Sequence, residues 1–204
     1  AAEDGARVRV GFRADVGRDT LADWAAHEDA EAMLAAMHEL SVAAGDWIYV
    51  PAGTPHAIGE GILILEVQEP SDLGVLLEWS RYGLAREQAC MGLDPDVALG
   101  CVRRSGVGED ELAAWCGDEL APDSRGFFRA EWLRGEERPP VERGYAVLVA
   151  TSGSGRLDTE GGAVDLERGS TVLVPHAAGD GELSGAVTVV RCSPPVDPGV
   201  PGGG

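Results

Sequence analysis

Apolar and polar positions alternate through residues 6–12 (ARVRVGF), the pattern of a strand with one dry face. The period then changes. Leu21, Trp24, Met33, Leu34 and Met37 recur at helical spacing, which predicts one helix over residues 20–39. Thr20, with Asp23 three residues on, makes a capping-box-like start. This helix would carry His27 and His38, whose separation is not the i, i+4 of helical metal pairs, so both read as surface or packing residues. After Gly45 come a short strand at 47–50, a breaker-rich turn at 51–55, and a second apolar strand at 62–67 closed by Pro70. Residues 84–120 are helical in composition, and the acidic first turn at Glu109, Asp110 and Glu111 suits a short helix there. Beyond 121–124, apolar segments at 127–132, 145–150, 156–158, 171–174 and 186–191 are separated by Gly-rich turns, the pattern of an antiparallel barrel or sandwich. The Pro/Gly-rich tail 194–204 predicts disorder.

The two halves repeat. At a constant offset of 124 residues, Gly45, Val50, Pro51, Gly61 and Pro70 match Gly169, Val174, Pro175, Gly185 and Pro194. His56 of the first copy falls opposite Asp180, and His176 falls opposite Ala52, so the second copy reads as structural. The strand 145–150 of the second copy precedes the turn Gly153-Ser154-Gly155, whose equivalent in the first copy is Glu3-Asp4-Gly5, so the matching strand would lie before Ala1; the chain therefore reads as truncated at its start.

Composition narrows the functional classes. A net charge of −19 repels polyanions and argues against a nucleic-acid partner. Every basic residue is Arg, which removes lysine acid–base or Schiff-base chemistry. No apolar run approaches the roughly 18 residues of a membrane span, and the start lacks the basic-then-apolar order of a signal peptide, so a cytoplasmic protein without a membrane partner is expected. Cys90, Cys101, Cys116 and Cys192 form no C-x-x-C pair and read as free thiols in a reducing compartment.

The stretch Gly45-x5-Pro51-x-Gly53-x2-His56-x3-Glu60 resembles the second motif of the cupin superfamily, with Glu60 where Asn is usual. A Pro/Gly turn lets the chain re-enter a barrel so that the next strand's histidine points inward, and neutral imidazole is a good ligand for zinc or another divalent ion. The competing reading of His56 is an inert barrel histidine satisfied by a backbone carbonyl.

The longer stretch GDWIYVPAGTPHAIGEGILILEVQEPSD, residues 45–72, is similar to the type I mannose-6-phosphate isomerase family. The likeness extends upstream through ARVRVGF and the helical insertion, and more weakly downstream to near Pro194. It implies a mainly β fold with helical insertions, made of two cupin-type jelly-roll β-barrels, the first incomplete at its N-terminus. The expected division is 1–82 for the C-terminal part of the catalytic barrel, 83–123 for a helical connector, 124–194 for a degenerate second barrel and 195–204 for a tail.

The resemblance further implies a zinc-dependent aldose–ketose isomerase interconverting mannose 6-phosphate and fructose 6-phosphate, with a phosphorylated hexose as partner. The family holds zinc with a Gln, two His and a Glu. Only the last His has a match here, His56, so this stretch of chain alone is expected to be inactive. Glu66 matches an acidic active-site position and is the candidate catalytic residue; Gln68, on the same side of the expected strand, and Arg81 are candidates for sugar and phosphate. A solvated strand face is the competing reading of Glu66 and Gln68. Leu76 stands where the family carries an Arg, which leaves the phosphate anchor to Arg81. Two rival functions stay open: a non-catalytic sugar-binding cupin or regulatory module, and an iron cupin oxygenase, against which the small number of histidines weighs.

Overall fold

A computed structural model describes residues 1–68 and 74–195. The fold is mainly β with short helices. The chain divides into two compact units, one beginning with Ala1–Glu66 and running on to Ala121, the other formed chiefly from Pro122 onward.

The first unit holds β1 (Arg7–Phe12), α1 (Arg18–His27), α2 (Ala30–Ala36), β2 (Met37–Ser41), β3 (Trp47–Ile48), β4 (His56–Ile58), α3 (Arg86–Ala89), α4 (Pro95–Gly100), α5 (Glu109–Trp115) and β5 (Cys116–Gly117). β1 is the centre of an antiparallel sheet, with β2 on one side and β4 on the other. Its alternation sorts the faces. Val8 and Val10 pack with Val107, Leu112 and Trp115, while Arg9 turns the other way to pair with Glu39. At Gly11 the alternation is interrupted: the register against β2 slips between Val10 and Phe12, and Gly11 adopts φ +65°. Phe12 is thereby delivered to a separate cluster with Leu21, Ala25 and Met37.

The single helix expected over 20–39 does not form. α1 stops at Glu28, which takes φ +52°, and α2 restarts behind Asp29, whose carboxylate accepts the Ala32 N–H at 3.0 Å. Gly17, not Thr20, is the N-cap of α1. Residues 37–41 then leave the helical path for β2, because β1 offers them a complete ladder. His38 consequently sits on a strand.

The strand expected at 62–67 is also not formed. Ile62 makes one isolated bridge to Ala2, Leu63 exchanges hydrogen bonds with Ala1 at 2.7 and 2.8 Å, and Leu63 and Ile64 are exposed. A strand needs partners along its whole length, and among the described residues only Ala1 and Ala2 pair with this one, at its first two residues. The expected strand at 47–50 shortens to β3, paired with β5.

The second unit holds β6 (Arg129–Arg134), β7 (Pro140–Val141), β8 (Ala146–Thr159), β9 (Gly162–Glu167), β10 (Thr171–Val174) and β11 (Gly181–Ser193). They form one antiparallel sheet in the order β10-β8-β11-β6, with β9 on β8 and β7 on β11. The segments 145–150 and 156–158 merge into the single long strand β8. Ala146, Leu148, Leu157, Leu166, Leu183, Val187 and Val189 supply its core.

The repeat has a backbone correlate. Gly45 and Gly169 take φ +105° and +93°, and Gly61 and Gly185 take +73° and +93°. The match at Pro70 and the disorder expected of the tail past residue 195 lie outside the described residues.

Candidate functional site around His56

His56 opens β4, and the turn that delivers it is pinned from three sides. The Thr54 N–H closes the turn onto the Pro51 carbonyl at 3.0 Å, the Gly11 N–H donates to the Pro55 carbonyl at 2.8 Å, and the Arg103 N–H donates to the Gly53 carbonyl at 2.8 Å. Gly53 takes φ +77°, and a Cβ there would stand 2.5 Å from the Cys101 carbonyl oxygen, so only glycine fits. Arg103 is itself braced. Its guanidinium grips both oxygens of Glu111 at 2.8 and 2.9 Å and lies 5.5 Å over the Trp115 ring. The hydrogen bonds from Arg103 hold the Glu111 carboxyl below its ordinary value.

In register, His56 stands opposite Val10 from β4, and His38 stands opposite the same Val10 from β2. Directly paired residues share a face. Both histidines therefore lie on the side of the sheet where Val10 is buried in the core. Their rings are held by backbone carbonyls: His38 Nε2 by Val107 at 2.8 Å and His56 Nδ1 by Thr54 at 3.1 Å. A carbonyl only accepts, so the neutral His56 ring carries its proton on Nδ1 and keeps the Nε2 lone pair free. Carbonyl-oriented imidazole of this kind is what a metal ligand requires. The His56 residue is nevertheless exposed, because β4 is an edge of its sheet among the described residues. Thr54 beside it is buried, and its hydroxyl has no hydrogen-bond partner.

The remaining sequence candidates are less tightly held. Glu66 and Gln68 are exposed on the irregular segment after Ile62. Arg81 lies in the 3-10 turn Ser80–Tyr82, 5.1 Å from the centre of the Tyr82 ring and 3.4 Å from Glu78. Among the described residues no hydrogen bond or ion pair joins His56, Glu66 and Arg81. Leu76 donates its N–H to Ala89. Ser71 and Asp72 of the motif lie outside the described residues.

His56 fits zinc as one donor, but zinc takes four ligands. Among the described residues no group of three or more His, Cys, Asp or Glu side chains is placed to hold a metal ion. Sequence reasoning missed His38 and Thr54. The signal for His38 was the alternation Glu39-Leu40-Ser41-Val42 just after it, masked by the good helix formers before it; Thr54 gave no signal beyond its place in the turn.

No family model matches the chain. The mannose-6-phosphate isomerase of Streptococcus mutans serotype c is 24% identical over 197 residues, covering 93% of this chain and 60% of that protein. The crystal structure of the Bacillus subtilis mannose 6-phosphate isomerase superposes with a TM-score of 0.65 at 17% identity, over 94% of this chain and 61% of that one. This chain is similar in sequence and in fold to mannose-6-phosphate isomerases. The Salmonella typhimurium mannose 6-phosphate isomerase, solved with fructose 6-phosphate and zinc, superposes with a TM-score of 0.51 at 12% identity, over 78% of this chain and 40% of that one. The chain thus shares the mannose-6-phosphate isomerase fold and spans about 60% of the length of the Streptococcus relative. No helix among the described residues is long and apolar enough to cross a membrane.

Proposed function

We propose that this chain is the His56-bearing portion of a zinc-dependent, cytoplasmic mannose-6-phosphate isomerase, built as two cupin-type barrels of which only the first is catalytic. The observation that carries the reading is the His56 ring: on the core face of β4, its Nδ1 committed to Thr54 and its Nε2 free, within a chain that shares the isomerase fold. The other ligands come from the part of the relatives' length that this chain does not span. Bound zinc would supply Lewis-acid polarisation of sugar oxygens.

The chain's own residues have narrower roles. Aldose–ketose exchange shifts a proton between neighbouring carbons through an enediol, and Glu66 is the carboxylate assigned to hold or move that proton. Gln68 hydrogen-bonds sugar hydroxyls. Arg81, free to swing from Glu78, takes the phosphate in place of the arginine lost at Leu76.

The test is turnover. The longer protein containing this chain, loaded with zinc, is expected to interconvert mannose 6-phosphate and fructose 6-phosphate, and His56→Ala to abolish both zinc retention and turnover without unfolding. A zinc-loaded protein that turns over no hexose phosphate overturns the proposal. Leu76 favours one other reading, a sugar-binding protein without catalysis; calorimetry showing sugar binding with no product would select it.

A further inference from the structure

We propose that the second unit carries an oxyanion-binding site of its own, centred on Arg191. Residues at i and i+2 of a strand share a face, so Arg191 of β11 lies on the same face as Val187 and Val189, which are core residues. Its register partners agree. On one side it stands opposite Leu148 of β8, which is fully buried, and on the other opposite Glu131 of β6. An arginine therefore points to the core side of the sheet, with only 11% of its side chain exposed.

This guanidinium is poorly satisfied. Nε has no hydrogen-bond partner. NH1 lies 3.5 Å from a carboxylate oxygen of Glu131, whose own side chain is 57% exposed. Burying a charge is costly unless it is both paired and hydrogen-bonded, and a long contact to a half-solvated carboxylate is weak compensation. An apolar residue beside Leu148 would serve the core better. The arrangement makes physical sense when the guanidinium faces a ligand.

The chemistry of that ligand follows from the donors. A guanidinium only donates, and its fork matches two oxygens of one planar or tetrahedral anion. Arg129 adds a second positive charge on the same face: it stands opposite Ser193, one same-face step from Arg191, and its Nε is held by the Pro194 carbonyl at 3.0 Å. In the ladder Arg129 and Arg191 are thus the two residues of positive charge next to Glu131 on this face, in a chain of net charge −19. A small oxyanion, carboxylate or phosphate, fits; a neutral sugar alone does not. Glu131 is the competitor that such an anion must displace or outbid.

The measurement is calorimetric titration of the chain with inorganic phosphate and, separately, acetate, at constant ionic strength against a chloride control. Binding of either is expected; phosphate alone would identify the site as one for phosphate groups, and both together as a general oxyanion site. Arg191→Leu should weaken the binding by about tenfold or more, and Glu131→Gln should strengthen it. His56→Ala should leave it unchanged, which separates this site from the one around His56. The proposal is overturned if neither anion binds beyond the chloride control, if Arg191→Leu binds like the unaltered chain, or if Glu131→Gln, which keeps Arg191 in place should Arg191→Leu fail to fold, shows no gain.

Discussion

The turn from Pro51 to Pro55 orients His56 through one backbone oxygen, the Thr54 carbonyl. The spacing of Gly45, Pro51, Gly53 and His56 singled out the histidine, because a breaker turn before a strand fixes where the next side chain points. What spacing could not reveal is that the Thr54 carbonyl sets the tautomer while the Thr54 hydroxyl lies buried without a partner. An unsatisfied buried hydroxyl is a liability, and valine has nearly the same shape. Thr54→Val is therefore expected to stabilise the chain by about 1 kcal/mol in urea unfolding, leaving the carbonyl that orients His56 in place. Glu28 is a second case invisible in sequence. Its carboxylate accepts the Trp79 and Ser80 N–H groups at 2.5 and 2.7 Å. The Ser80 side chain, then the Ser80 and Trp79 backbones, hold its carboxyl below the ordinary value of 4.5. A folded value lying below the unfolded one means stability that is present above pH 4.5 and lost as pH falls through the folded value. Glu28→Gln should thus be less stable than the unaltered chain at pH 7, with the gap in Tm closing as the pH is taken below 4.5.

At the scale of elements, the sequence spoke clearly where one signal acted alone. α5 forms at Glu109–Trp115 because acidic residues crowd its first turn and nothing competes. It misled where two signals overlapped. A helical stripe ends at Met37 and a polar–apolar alternation follows over Glu39-Leu40-Ser41-Val42, and the strand prevailed because β1 was there to pair with; intrinsic preference is weak beside a full ladder. Residues 62–67 are the converse, strand-like in composition yet without a ladder. Gly153-Ser154-Gly155 looked like a turn between strands and is instead the middle of β8. The turn that presents His56 rests on Gly53, where added carbon would meet the Cys101 carbonyl. Gly53→Ala is expected to cost about 1–3 kcal/mol, seen as a lowered urea midpoint with an unchanged slope.

For the molecule as a whole, fold class was legible because period-2 segments and Gly turns recur on a fixed offset, and the offset survives as paired left-handed glycines in both halves. The proposed metal centre was legible only as a single candidate donor, His56, since a zinc site is a meeting of distant segments and no group of three or more ligating side chains gathers among the described residues. The expected consequence is that this chain alone binds zinc no more tightly than an isolated histidine permits, and isomerises no hexose phosphate. Competition against a chromogenic chelator checks the first point and a coupled assay for fructose 6-phosphate the second; tight one-to-one zinc binding lost in His56→Ala would contradict the first.

The free flank of β4 has a consequence for handling the protein. Among the described residues its outer backbone groups run beside Ile58, with Leu63 and Ile64 also bare to water, and the edge is guarded only at its ends, by Pro55 and Glu60. Concentrated solutions should accordingly form reversible clusters detectable by light scattering, and Ile58→Lys should suppress them. Any strand that does settle against that flank would bring its side chains alongside the imidazole, so the same openness that invites sticking is also the side from which further ligands of the proposed zinc site would approach.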